Sequence, residues 1–196
     1  MASYLTIESE STAIFREKMS KFISFATPVT SVEEAKAIIN STTNKYHDAR
    51  HVCWAYMLGA DRQTYLSSDN GEPSGTAGKP ILGQINSAGL TDIVICVVRY
   101  FGGIKLGTSG LISAYREAAR LAIEEATIIT AHEMSRTTIT FPYLAMNDVM
   151  RLLKSSPTAK IVDQQFDNTC QLTFSATADE MSTLLPRLTA LDGVTI

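Results

Sequence analysis

Ile93-Val94-Ile95-Cys96-Val97-Val98-Arg99-Tyr100-Phe101-Gly102-Gly103-Ile104-Lys105-Leu106-Gly107-Thr108-Ser109-Gly110 decides how this chain folds. Its first six residues are apolar without alternation, which predicts a central strand covered on both faces. A glycine loop follows at once. Beyond it, Leu111, Ile112, Tyr115, Ala118, Ala119, Ala122 and Ile123 form a broad apolar stripe, predicting a helix over 111–126. A second glycine run lies upstream, Ser68-Asp69-Asn70-Gly71-Glu72-Pro73-Ser74-Gly75-Thr76-Ala77-Gly78-Lys79-Pro80. Residues 67–116 hold nine of the eleven glycines, and glycine serves where φ is positive or a neighbour presses on the backbone. Two such loops, each leading into a helix, predict a functional surface built largely from backbone N–H groups.

Outward from this segment, short strand-like stretches occupy 4–9 and 12–27, and Ser31-Val32-Glu33-Glu34 is a capping box opening a helix. His51–Leu58 reads as a strand ending at the turn Gly59-Ala60-Asp61-Arg62, and Ile81–Ala88 as a short helix closed by Gly89. Past residue 130 come a strand at 134–142 and a helix at 144–155. Two strands follow at 159–166 and 169–176, split by an Asp167-Asn168 turn. A second capping box, Thr177-Ala178-Asp179-Glu180, opens a helix to about residue 190, with a short final strand. The order β-α-β-β-α-β matches a ferredoxin-like arrangement. The expectation is two α+β domains, 1–130 and 131–196.

A chain of 196 residues with 45% hydrophobic and 19% charged content is an ordinary globular protein. It has no apolar run long enough for a membrane span and no apolar signal region, so a cytoplasmic location without membrane partners is expected. Cys53, Cys96 and Cys170 are odd in number and far apart, which predicts reduced, buried thiols. Net charge is −3; residues 1–130 carry 12 basic against 13 acidic side chains, and 131–196 carry 5 against 7. Any contact with RNA or phosphate therefore has to come from a local patch.

The first run fails as a nucleotide P-loop, because Pro73 stands at the first required glycine and Pro80 at the magnesium-binding hydroxyl. The second has the better context for an anion, with helix N–H groups near Gly107 to Gly110. Lys105 lies in that loop, and Ser109, Ser113, Arg116 and Arg120 share one helix face. That face reads either as an anion site or as a solvated arginine stripe. Arg99, directly after six apolar residues, needs a carboxylate partner or an anionic ligand, and Asp69 and Glu72 are the candidate carboxylates. Those two acids otherwise read as a metal or acid/base pair, or as caps of nearby N–H groups. Tyr100-Phe101 reads as a stacking pair or as two rings on opposite strand faces. His51 and Cys53 share a strand face without further zinc ligands, so a hydrogen-bonded histidine and a packed cysteine are expected. No nucleophile–base–orienter set is evident, and no cofactor or metal is called for.

At these residues the chain resembles the YigZ/IMPACT family. Arg99 to Gly107 fits that family's R-[aromatic]2-G-G-x-x-[aliphatic]-G signature, and Asp69 to Pro80 is similar to its D-D-G-E-P-[SA]-G-T-A-G-K-P block. Asp48-Ala49-Arg50-His51-Val52-Cys53 and Lys18-Met19-Ser20-Lys21-Phe22 are similar to two further segments. Asn70 departs from the family's second aspartate, which weakens any metal site needing both carboxylates. The resemblance implies a ribosomal protein S5 domain 2-like N-terminal domain and a ferredoxin-like C-terminal domain akin to those of elongation factors. Eukaryotic relatives regulate translation. The resulting expectation is a non-enzymatic binding protein with RNA, the ribosome or a translation factor as partner. The alternative is an enzyme acting on a phosphorylated small molecule. The expected binding residues are Asp69, Gly71, Glu72, Pro73, Gly75, Thr76, Gly78 and Lys79 in the first run. In the second they are Arg99, Tyr100, Phe101, Gly102, Gly103, Lys105, Gly107, Ser109 and Arg116.

Overall fold

The structure, a computed structural model, describes residues 3–167 and 169–196; Asn168, half of the expected Asp167-Asn168 turn, lies outside the described residues. The chain is a two-domain α+β protein that divides into two compact units, Tyr4–Ala131 and, with Ser3, His132–Ile196.

In the first unit, strand β6 (Ile93–Tyr100) is the middle of a five-stranded sheet. The other strands are β2 (Ser11–Glu17), β3 (Ser20–Pro28), β4 (His51–Leu58) and β5 (Thr64–Ser68), in the order β2-β3-β6-β4-β5 with every pairing antiparallel. The absence of alternation in β6 has the expected cause. Ile93, Ile95 and Val97 pack toward helices α2 (Gly78–Ser87) and α3 (Gly107–Glu124), while Val94 and Cys96 meet Ala35 and Ile39 of α1 (Val32–Lys45) on the other face. Register puts Arg99 of β6 between Phe22 of β3 and His51 of β4. All three sit at the end of the sheet where the glycine loops leave it.

Several elements differ from the sequence reading. The 12–27 stretch is a hairpin turning at Lys18 and Met19, both at positive φ. The strand read at 4–9 forms as β1 (Ser3–Ile7) and pairs with β7 (Ile128–His132); β5 and β7 were not anticipated, and their residues are largely exposed. Helices α2 and α3 begin at Gly78 and Gly107, inside the glycine runs rather than after them. A first turn has N–H groups free of intrahelical bonds and need present no apolar face, so Pro80 fits there.

The second unit has strands β8 (Met134–Pro142), β9 (Lys160–Gln165) and β10 (Thr169–Thr177) in the antiparallel order β8-β10-β9, with helices α4 (Met146–Ser155) and α5 (Ala178–Thr189). Ile139, Phe141, Leu172 and Phe174 pack with Val149, Leu153, Leu184 and Leu188. The expected last strand is only a bridge between Thr195 and Thr140. Of the two capping boxes, the first forms in part: Ser31 accepts from the Glu34 N–H at 3.1 Å, but Glu34 accepts from Thr30 N–H instead of Ser31 N–H. The second does not form. Thr177 makes no side-chain cap, and the Glu180 carboxylate is engaged by the Ser156 hydroxyl.

Candidate functional site

The loop between β5 and α2 opens with a turn of two left-handed residues, Asn70 and Gly71, closed by the bond from Glu72 N–H to Asp69 C=O. Gly71 has a second constraint: a Cβ there would meet the His51 ring at 3.2 Å. This turn separates the fates of the two acids. Asp69 points back into its own loop and accepts from the N–H groups of Gly75, Ala77 and Gly78 at 2.8–3.0 Å. Burial pushes its carboxyl up, yet these three bonds together with Lys79 outweigh that and hold it below the usual carboxylate range. Asp69 is therefore an organiser of the loop and of the start of α2. Thr76 is buried and spends its hydroxyl on Pro73 C=O at 2.6 Å, so it too is structural.

Glu72 points the other way. Its Oε1 accepts from Arg99 Nη1 at 2.6 Å and from the Tyr115 hydroxyl at 2.8 Å. Its side chain is only 4% exposed and that of Arg99 only 7%. Of the two candidate carboxylates, Glu72 is the one that partners Arg99. The guanidinium also lies 5.6 Å from the ring centres of both Phe22 and Phe101. Arg99 Nε is buried with no hydrogen-bond partner. Burial pushes the Tyr115 hydroxyl far up, with Cys53 and Glu72 adding to it, so this group keeps its proton and donates a hydrogen bond at any ordinary pH.

His51 completes the floor. Its Nδ1 lies 2.8 Å from Asn70 C=O, and a carbonyl only accepts, so Nδ1 carries the hydrogen. Nε2 then faces Glu72 Oε2 at 3.7 Å. Cys53, two residues on, donates to Asp69 C=O, and burial pushes its thiol up to about 12, leaving it unreactive. Among the described residues no three His, Cys, Asp or Glu side chains gather as a metal site would need.

Above this floor is a cleft of about 430 Å³, within the range of small-ligand sites. Arg50 and Lys105 line it as cations without an ion pair among the described residues, and Phe101, Leu106 and Leu111 give it an apolar wall. Gly107 and Thr108 bring the N-terminus of α3, which has no side-chain cap and no acid in its first turn. Gly102 sets the loop's path: a Cβ there would lie 2.1 Å from the Met19 carbonyl.

The expected residues are thus only partly gathered. Gly71, Glu72, Pro73, Arg99, Phe101, Lys105 and Gly107 share this cleft. Gly75, Lys79 and Arg116 line a separate groove of about 420 Å³ beside α2 and α3. Tyr100 packs on the opposite sheet face and donates to Asp48 at 2.9 Å, so the two rings do point apart. Gly78 presses on the Ser68 backbone, and Gly103 and Ser109 line neither hollow. Arg120 is held by Glu117 and Glu124, as a solvated stripe would be. Arg50 and Tyr115 were missed. Tyr115 was legible: a tyrosine on an otherwise apolar stripe must find a partner for its hydroxyl.

The Impact N-terminal domain model matches residues 18–123, more than half of the chain. IMPACT family member YigZ of Escherichia coli is 38% identical over 155 residues, covering 78% of this chain and 76% of that one. An IMPACT family member of Haemophilus influenzae is 40% identical over 128 residues, covering 63% of this chain and 61% of that one. A crystal structure of a hypothetical protein superposes with a TM-score of 0.79 at 33% identity over 98% of this chain and 94% of the other.

Proposed function

This chain belongs to the IMPACT family, and from that premise we propose that it is a non-enzymatic RNA-binding protein of translation regulation. In this reading the units are an S5 domain 2-like domain and a ferredoxin-like domain, the latter suggested by the β8-β10-β9 order with the Thr195–Thr140 bridge. One observation carries the RNA assignment. The cleft collects three basic side chains, Arg50, Arg99 and Lys105, against one acid, Glu72, in a protein of net charge −3. Arg99 and Glu72 neutralise each other at the floor, so Arg50 and Lys105 are the groups left for a phosphate. Phe101, 44% exposed at the rim, offers a face for a base.

The test is co-sedimentation of the full chain with ribosomes and with single-stranded RNA across a salt series. The Arg50→Ala/Lys105→Ala double variant should bind more weakly and show a shallower salt dependence, by about one unit of slope per lost phosphate contact. Equal binding by both proteins at every salt concentration overturns the assignment. A second reading, an enzyme acting on a phosphorylated small molecule, draws on the His51–Glu72 pair at the floor of a cleft of small-ligand size. It is favoured instead if sugar phosphates or nucleotides with magnesium raise the melting temperature while RNA does not bind.

A further inference from the structure

We propose that the floor of this cleft recognises a ribose 2′-hydroxyl, so that the site accepts a ribonucleotide and discriminates against its deoxy counterpart. This rests on the RNA reading above and narrows it. Glu72 Oε1 is satisfied twice over, by Arg99 and Tyr115, whereas Oε2 receives no hydrogen bond among the described residues. The group opposite, His51 Nε2, is 3.7 Å away, too far for a hydrogen bond. Because Nδ1 holds its hydrogen against Asn70 C=O, Nε2 of the neutral ring is also an acceptor. Two acceptors therefore face each other on the cleft wall with no donor between them. Glu72 Oε2 is thus an acceptor open to the cleft that no donor among the described residues serves, and a donor from a ligand can take that place.

The surroundings define that donor. Arg50 and Lys105, which the Arg99–Glu72 pair leaves unbalanced, disfavour an ammonium and favour a molecule carrying negative charge. A hydroxyl fits: its single proton lies between the two acceptors, Glu72 Oε2 and His51 Nε2. On the RNA reading, a hydroxyl on a phosphate-bearing unit with an apolar face is the 2′-hydroxyl of a ribonucleotide. The base or sugar face then meets Phe101, Leu106 and Leu111, and the phosphate meets Lys105, Arg50 and the uncapped N–H groups at Gly107 and Thr108. The 2′-hydroxyl is the group by which proteins separate RNA from DNA.

The experiment compares binding of the full chain to a fluorescent single-stranded oligoribonucleotide and its deoxy counterpart, alongside thermal shifts with ribo- and deoxyribonucleoside 5′-monophosphates. The deoxy oligomer should bind about tenfold more weakly, the loss of one charge-assisted hydrogen bond. His51→Ala should narrow the ratio of ribo to deoxy affinity toward one, and an unchanged ratio overturns the role of this pair. Equal affinity for ribo and deoxy forms overturns the ribose inference while the nucleic-acid reading stands. Ribo-selective shifts with mononucleotides and no binding of either oligomer support the ribose inference and overturn the RNA reading. No binding of any of these ligands overturns both.

Discussion

The two basic hollows of the first unit have nearly the same volume, about 430 and 420 Å³, and both present lysine and arginine. They differ in what lies beneath. The cleft rests on a buried Glu72–Arg99 pair, a tyrosine hydroxyl and a histidine with a fixed tautomer. The groove around Lys79 and Arg116 is formed by side chains of two neighbouring helices. Positive charge on a surface is common and weak. A polar floor removed from water fixes direction as well as charge, and only the cleft has one.

The sharpest way to break this comparison is to remove the floor. Glu72→Ala leaves Arg99 buried without its carboxylate and Tyr115 without an acceptor, and should cost about 3–5 kcal/mol in urea unfolding. A loss under about 1 kcal/mol would reduce the floor to the standing of the surface groove. The next variant separates loop architecture from the site. Asp69→Ala removes the acceptor of three backbone N–H groups and should cost about 1–2 kcal/mol. Asp69 is held below its usual pKa when folded, so its contribution is present above that ordinary value of 3.8 and is lost as pH falls through the lower folded value. The gap between wild type and variant should therefore be constant near neutrality and close in acid; a gap that widens in acid contradicts the assignment.

How much of this was legible in the sequence depends on which physical signal a residue leaves. The doubly covered strand β6 announced itself through six apolar residues, and Arg99 through the cost of a charge at the end of such a strand. That the partner was Glu72 and not Asp69 was hidden, because the turn at Asn70 and Gly71 sends side chains three residues apart in opposite directions. The separation of Lys79 and Arg116 from the cleft was equally hidden. Lys79 belongs to α2 and Arg116 to α3, and the groove they share comes from the packing of the two helices, which the spacing along neither helix shows. His51 was read as a hydrogen-bonded histidine, which it is, but its place opposite Arg99 and Glu72 was hidden because those neighbours lie across the sheet or in the next loop, not along the strand. In the second unit the helical and strand periods were clear, but the final strand shrank to one bridge at Thr195.

The most direct test pits the two hollows against each other with one charge each. Lys105→Ala and Lys79→Ala remove the same group from the cleft and from the groove, and both side chains are at the periphery of the fold. Measured by fluorescence anisotropy with a single-stranded oligoribonucleotide at fixed salt, Lys105→Ala should weaken binding about fivefold, close to 1 kcal/mol, and Lys79→Ala by less than about twofold. Equal effects, or a larger loss from Lys79→Ala, would contradict the claim that the cleft over Glu72 and Arg99 is where this protein binds RNA.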